Sequence, residues 1–185
     1  MKIVLVAVLV VVGCFAVSAQ KSNDAIQKQI KSLRAEKNIF LSYDGSASKL
    51  MATAPNFSDS DAKTANIQAA NFGMAFFYTG QQLSASPEYV NFTFWIMSKK
   101  PRFASTTGAW EVTLPSGTMH LGEYRYSGKP NENMEYLNFK ITRADLAKIA
   151  SSPSNVNFRL GTSMFSFTTE QMQLLRNFIA ISDTK

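Results

Sequence analysis

"EYVNFTFWIMS", residues 88–98, alternates Val90, Phe92, Phe94 and Ile96 on one side with Tyr89, Asn91, Thr93, Trp95 and Met97 on the other. A period of two marks a β-strand, and a strand apolar on both sides belongs inside a sheet rather than at its edge. Upstream, "NFGMAFFYTG" (71–80) places Phe72, Met74, Phe76 and Tyr78 on one side. "IFLSYD" (39–44) and "KLMATA" (49–54) are shorter strands of the same kind. Residues 59–68 are polar and Ala-rich and suit a short helix as well as a loop.

Downstream, "WEVTLPSGTMHLGEYRY" (110–126) reads as a hairpin. A two-residue turn at Ser116-Gly117 sets Leu114 opposite Met119, Val112 opposite Leu121 and Trp110 opposite Glu123. Trp110, Val112, Leu114, Met119 and Leu121 then share an inner face, and Glu111, Thr113 and His120 point outward. A slip by one residue would reverse the two sets.

The last third repeats itself. "FKITRADLAKIA" (139–150) and "FSFTTEQMQLLR" (165–176) align without gaps, each a strand end followed by a helix. Thr142 with Asp145, and Thr168 with Gln171, have the spacing of a capping box. Leu146 and Ile149 correspond to Met172 and Leu175 on the buried helix faces. Between the copies, "NVNFRLGTSMFSF" (155–167) is a hairpin with Val156, Phe158 and Leu160 inward. Near the other end, "DAIQKQIKSLRAE" (24–36) sets Ile26, Ile30 and Leu33 on one helix face, with Asn23 or Asp24 as cap. Lys28, Lys31 and Arg34 lie near the opposite face. A charged face usually meets only water; a basic helix resting on an anionic membrane is the alternative.

These elements predict a mainly β domain with helices (α+β). A single antiparallel β-sandwich is preferred over a strongly curved sheet, with an N-terminal helix and two C-terminal helices packed on it. The expected organisation is a signal peptide over 1–19, an amphipathic helix over 20–37 and one β-rich domain over 38–182.

The first nineteen residues have the layout of an export signal. Lys2 precedes an unbroken apolar run over residues 3–12, which at roughly 1.5 Å per residue covers about half of a bilayer core. Val17-Ser18-Ala19 is a small-residue cleavage site ahead of polar Gln20. Val11-Val12-Gly13 before Cys14 is the competing site, a lipobox whose use would leave Cys14 lipidated and the protein membrane-anchored. Apolar Phe15-Ala16-Val17 is a poor tether, so cleavage after Ala19 is preferred, giving a periplasmic or extracellular protein. Cys14 is the only cysteine, so the mature chain forms no disulfide, which favours a bacterial envelope over a eukaryotic secretory route. Lys and Arg number 19 against 13 Asp and Glu. That excess, in an exported chain without a nucleic-acid motif, points to anionic envelope polymers and away from nucleic acid.

The stretches "YDGSASKL", "FFYTG", "SPEYVNFTF", "HLGEYRYSG", "EYLNFKITRADLAKIA", "NVNFRLG" and "FSFTTEQMQLLRNF" together resemble a type of exported bacterial domain without an established activity. The likeness covers most of residues 40–180, and its most distinctive part pairs T-x-x-x-L-x-x-I-A with the later V-x-F-R-L-G. It implies bacterial export and one domain. It assigns no catalytic residue.

Chemistry is narrowed mainly by absences. One histidine and no mature cysteine remove most zinc sites and all thiol catalysis. There is no phosphate-binding glycine loop and no Gly-x-Ser-x-Gly elbow. Asp59 and Asp61 are the only close aspartates and suit a polar loop better than calcium. No cofactor is expected. His120, oriented by Glu111 with Thr113 as hydroxyl, is the one arrangement for a small hydrolase, though a surface His–Glu pair is the simpler reading. Glu111 and Glu123 fall on opposite faces in the expected register, which leaves a paired-carboxylate glycosidase a weak reading. "SKKPRF" (98–103) is the most distinctive polar stretch, with Lys99, Lys100 and Arg102 beside Phe103. Cations next to a ring bind sugar acids or phosphate-bearing polymers, whereas the plainer role is to shield a strand end from aggregation. The expected function is a non-enzymatic binding or structural module of the envelope, its partner an anionic polymer or another envelope protein. Membrane contact follows only if Cys14 is lipidated.

Overall fold

Both edges of the strand around Phe92 are occupied. The computed structural model describes residues 20–54, 57, 67–104, 108–128, 133–153 and 155–184. Within them, one antiparallel sheet contains β2 (Ile39–Tyr43), β3 (Ala47–Thr53), β4 (Ile67–Thr79), β6 (Tyr89–Ser98), β9 (Arg125–Gly128) and β10 (Met134–Thr142). Their order is β2-β3-β4-β6-β10-β9, so the strand that is apolar on both sides is interior. Phe94 lies opposite Phe72 on β4 and Leu137 on β10, and Phe92 opposite Met74 and Phe139. All six face the core.

A second antiparallel sheet, ordered β12-β11-β7-β8, contains β7 (Ala109–Leu114), β8 (Gly117–Glu123), β11 (Asn157–Leu160) and β12 (Ser163–Ser166). Its inner rings meet those of the first sheet. Trp110 lies 4.6 Å from Phe92, 5.0 Å from Phe94 and 5.1 Å from Phe139, ring centre to ring centre, and Phe158 lies 5.3 Å from Phe94. A third, two-stranded sheet pairs β1 (Lys21–Ser22) with β5 (Gln82–Leu83). Among the described residues the chain is mainly β, with three helices, several antiparallel sheets and no closed barrel.

The two C-terminal helices start where their caps direct. In α2 (Arg143–Ala150), Thr142 Oγ1 accepts from the Asp145 N–H at 3.0 Å and donates to the Asp145 carboxylate at 2.6 Å. In α3 (Thr169–Ser182), Thr168 and Gln171 exchange side-chain and backbone hydrogen bonds as a full capping box. Leu146, Ile149, Met172 and Leu175 are buried. The second copy carries Arg176 where the first has Ala150, and that guanidinium donates to the carbonyls of Ala150 (2.9 Å) and Ser152 (3.1 Å), satisfying the open end of α2.

Two local expectations change. Helix α1 (Asn23–Ser32) is shorter than 20–37 at both ends. Ser22, not Asn23, caps it, because the Asn23 side chain is engaged elsewhere: it donates to Ser48 Oγ at 2.9 Å and accepts from the Tyr78 hydroxyl at 2.6 Å. At the far end the Arg34 N–H reaches the Lys31 carbonyl and the Ala35 N–H the Ile30 carbonyl, with Arg34 at φ +52°. This is a Schellman ending with arginine where glycine is usual. Ile26 and Ile30 are buried, but Leu33 falls on the cap and is exposed; buried Ala35 follows the turn instead.

The 110–126 hairpin turns at Pro115-Ser116, with Leu114 opposite Gly117, Val112 opposite Met119 and Glu111 opposite His120. Proline's fixed φ suits the first corner of a turn, and Gly117 supplies φ +125° where the chain leaves it. The register differs from expectation by two residues, so the faces are kept: Trp110, Val112 and Leu114 are buried and His120 is exposed. A bulge between Ala109 and Glu111 puts Glu123 opposite Ala109, which reverses its expected side.

A left-handed backbone costs an L-residue about 1–2 kcal/mol, part of which glycine recovers. Arg34→Gly is therefore expected to stabilise the fold by about 0.5–1 kcal/mol. A urea transition moved to higher midpoint with unchanged slope is the check.

Candidate functional site

The basic stretch 98–103 is organised around a carboxylate on the neighbouring strand. Glu135 on β10 lies opposite Ile96 and is fully buried. Both of its oxygens accept from the Arg102 N–H at 2.9 Å, Oε1 accepts from the Phe103 N–H at 2.8 Å, and the Ser98 hydroxyl lies 3.2 Å from Oε2. The backbone thus folds over an internal anion. Lys99 and Lys100 stay exposed and Arg102 half-exposed. Phe103 is turned into the core, its ring 6.2 Å from that of Tyr124. Cations and ring, expected side by side at the surface, are separated because the N–H groups satisfying Glu135 point the chain inward at Phe103. The parity of Glu135 with Leu137, Phe139 and Ile141 was the available sign that this acid faces inward.

His120 sits on the outer face of the second sheet, Nδ1 3.2 Å from Glu111 Oε1, with its side chain 68% exposed. Arg159 on β11 lies opposite Glu111 from the other side, its Nε 2.9 Å from Oε2 and its Nη2 on the same oxygen. The guanidinium, with His120 beside it, holds the Glu111 carboxyl below the usual carboxylate range. One Glu111 oxygen is therefore held by the Arg159 guanidinium and the other faces the His120 ring. Thr113 pairs with Thr118 across the strand, not with His120. The row His120–Glu111–Arg159 is a cross-strand polar ladder on an open surface. Cys14, Asp59 and Asp61 lie outside the described residues. Among the described residues, no group of three or more His, Cys, Asp or Glu is placed to hold a metal ion.

A concavity with a largely apolar lining lies elsewhere, on the outer face of the six-stranded sheet. It is a groove of ≈ 270 Å³ whose floor is Gly73, in the middle of β4. A Cβ at Gly73 would sit 2.6 Å from Cη2 of Trp95, so glycine is what lets the indole lie across β4. Met51 and Phe77 form further walls, and Asn91 and Thr93 line it from β6. Lys49 stands directly opposite Phe77, its ammonium 5.0 Å from the ring centre, and Phe77 is 58% exposed. On the same sheet Lys140 lies 4.3 Å from the ring of Tyr89, and Phe40 and Met97 are exposed. In the sequence, Trp95 counts only as aromatic surface near the cations of 98–103, and Met97 and Tyr89, on the same side of β6, carry no expected role. The groove's overlooked sign was a glycine amid bulky residues in "NFGMAFF", since a strand glycine often marks a close approach.

No family model, curated protein or solved structure matches this chain. The site's chemistry therefore rests on its own geometry.

Glu135→Gln can keep a carbonyl at the Oε1 position but sets its NH2 at the Oε2 position, against the Arg102 N–H. It is expected to cost about 1–3 kcal/mol, as an unmet buried polar group does, whereas Lys99→Ser should stay within about 0.5 kcal/mol. Paired urea denaturations give both values.

Proposed function

We propose that this chain is an exported bacterial envelope module that binds rather than catalyses, and that its binding face is the outer side of the six-stranded sheet. The observation that carries the reading is the solvent-facing band formed by Trp95 over Gly73, Phe77 and Met51, with Lys49 at its margin. A monomeric surface rarely leaves aromatic side chains grouped in this way without a partner. Overall the arrangement is read as a β-sandwich with helices along its flank, leaving one face of the larger sheet for recognition.

The partner that suits this face is an anionic envelope component, polymer or protein. Lys49 and Lys140 lie toward one end of β6, and Lys99 and Lys100 follow its other end, so cations bracket an apolar middle. Cations over rings keep their charge available while the rings supply contact area. The hydrolase alternative on His120, Glu111 and Thr113 has less support, because an exposed imidazole and a doubly occupied carboxylate give no enclosed place for a reacting group. Secretion after Ala19 remains the preferred processing, with lipidation at Cys14 the alternative.

Retention of the purified protein on an immobilised acidic polysaccharide tests the reading. Lys49→Gln combined with Phe77→Ala is expected to reduce retention markedly, and Lys99→Ser with Lys100→Ser and Arg102→Ser to reduce it further. All five positions are exposed or half-exposed, so folding should be preserved. Equal retention of wild type and both variants would remove this face from the account.

A further inference from the structure

We infer that the groove over Gly73 is a site for a small amphipathic anion: a flat, apolar body of about one ring system carrying a single acid group, with the acid at Lys49. The inference rests on the reading of this face as a binding surface and goes beyond it: the cations bracketing the strand meet the polymer, and the groove itself takes a separate, ring-sized acid.

Size sets the first limit. The groove, ≈ 270 Å³ and open to solvent, seats about one ring system between its walls, and anything larger extends out over the sheet. Shape sets the second. The Trp95 indole occupies the space a Gly73 side chain would take, so an aromatic ring lies low across β4 and forms one side of the groove. Such a surface accepts a planar body by offset stacking. Polarity sets the third. Met51, Ala75, Phe77 and Trp95 dominate the walls, and the polar groups are few. The Thr93 hydroxyl already donates to Asn138 Oδ1 at 2.9 Å. Thr53 and Asn91 are the other uncharged polar side chains of the lining, two groups against the several hydroxyls of a sugar ring, whereas an apolar body draws on the contact area of Met51, Phe77 and Trp95.

Charge sets the last limit and the orientation. Lys49 makes no ion pair among the described residues, and its ammonium is held beside the Phe77 ring at the groove's margin. A carboxylate or sulfonate reaching that margin gains a charge-assisted hydrogen bond while its body stays on the rings. The neutral form of the same body gains only the stacking. The groove therefore discriminates by head charge, and it does so through one residue.

The experiment uses 2-naphthoate, its neutral isostere 2-naphthamide and D-galacturonate as probes, followed by the indole N–H resonances of the purified protein. Trp95 is half-buried at the groove and Trp110 is fully buried between the sheets, so the two tryptophans report separately. 2-Naphthoate is expected to shift the Trp95 resonance, leave Trp110 in place and bind on the order of tenfold more tightly than the amide. Lys49→Gln should abolish that preference, and Phe77→Ala should weaken both aromatic probes. Equal binding of naphthoate and naphthamide would overturn the charge selection. A stronger response to galacturonate would overturn the apolar body in favour of an acidic sugar. If no probe moves Trp95 while polysaccharide retention still depends on Lys49 and Phe77, the ligand class falls and the binding face stands. Loss of both results would remove the face itself.

Discussion

The rings of Phe92 and Phe94 join the two larger sheets. They point from the middle of β6 into the space where Trp110 and Phe158 arrive from the second sheet, and where Phe72, Phe139 and Phe57 close the sides. Truncating one such ring in a packed core typically costs 3–5 kcal/mol, a large part of a domain's net stability. No disulfide is available to replace that contribution. With the inner side of β6 committed in this way, alternation leaves Trp95 and Thr93 on the outer side, and the groove is a geometric consequence of the core.

Much of this was legible in periodicity. Period-two alternation in 88–98 gave an interior strand, and Thr142 and Thr168 gave helix starts, because both signals are local and have one dominant physical cause. Where two local signals compete, tertiary contact decides. Asn23 is a good cap by type, yet Ser48 and Tyr78 bind its side chain and Ser22 takes the role. In the 110–126 hairpin, Ser116-Gly117 and Pro115-Ser116 are both good turns, and the second prevails with the faces unchanged, since an even shift preserves parity.

The candidate sites were less legible, for a specific reason. Basic residues beside Phe103 look like a surface cluster, but Glu135, thirty-odd residues downstream on a paired strand, draws the intervening backbone inward and buries the ring. His120 and Glu111 were correctly placed on one face, and Arg159, which changes their meaning, enters only through the pairing of β7 with β11. The groove itself needs the register of β4 against β6, which sets Trp95 diagonally beyond Gly73. No single segment contains it. Sites built across strands are readable from sequence only once their registers are known.

The central claim is that the outer face of the six-stranded sheet is where this protein meets its partner. Methionines give the most direct test, because exposed thioethers oxidise readily and the product is read by mass. Met51 and Met97 lie on that face, and Met164, 50% exposed, lies on the outer side of the other sheet. Oxidation of the protein with and without bacterial envelope extract, followed by peptide mass analysis, compares them within one molecule. Met51 and Met97 are expected to be protected by the extract while Met164 oxidises at its original rate. Protection of Met164 with Met51 and Met97 unprotected would place the partner on the opposite surface and contradict it.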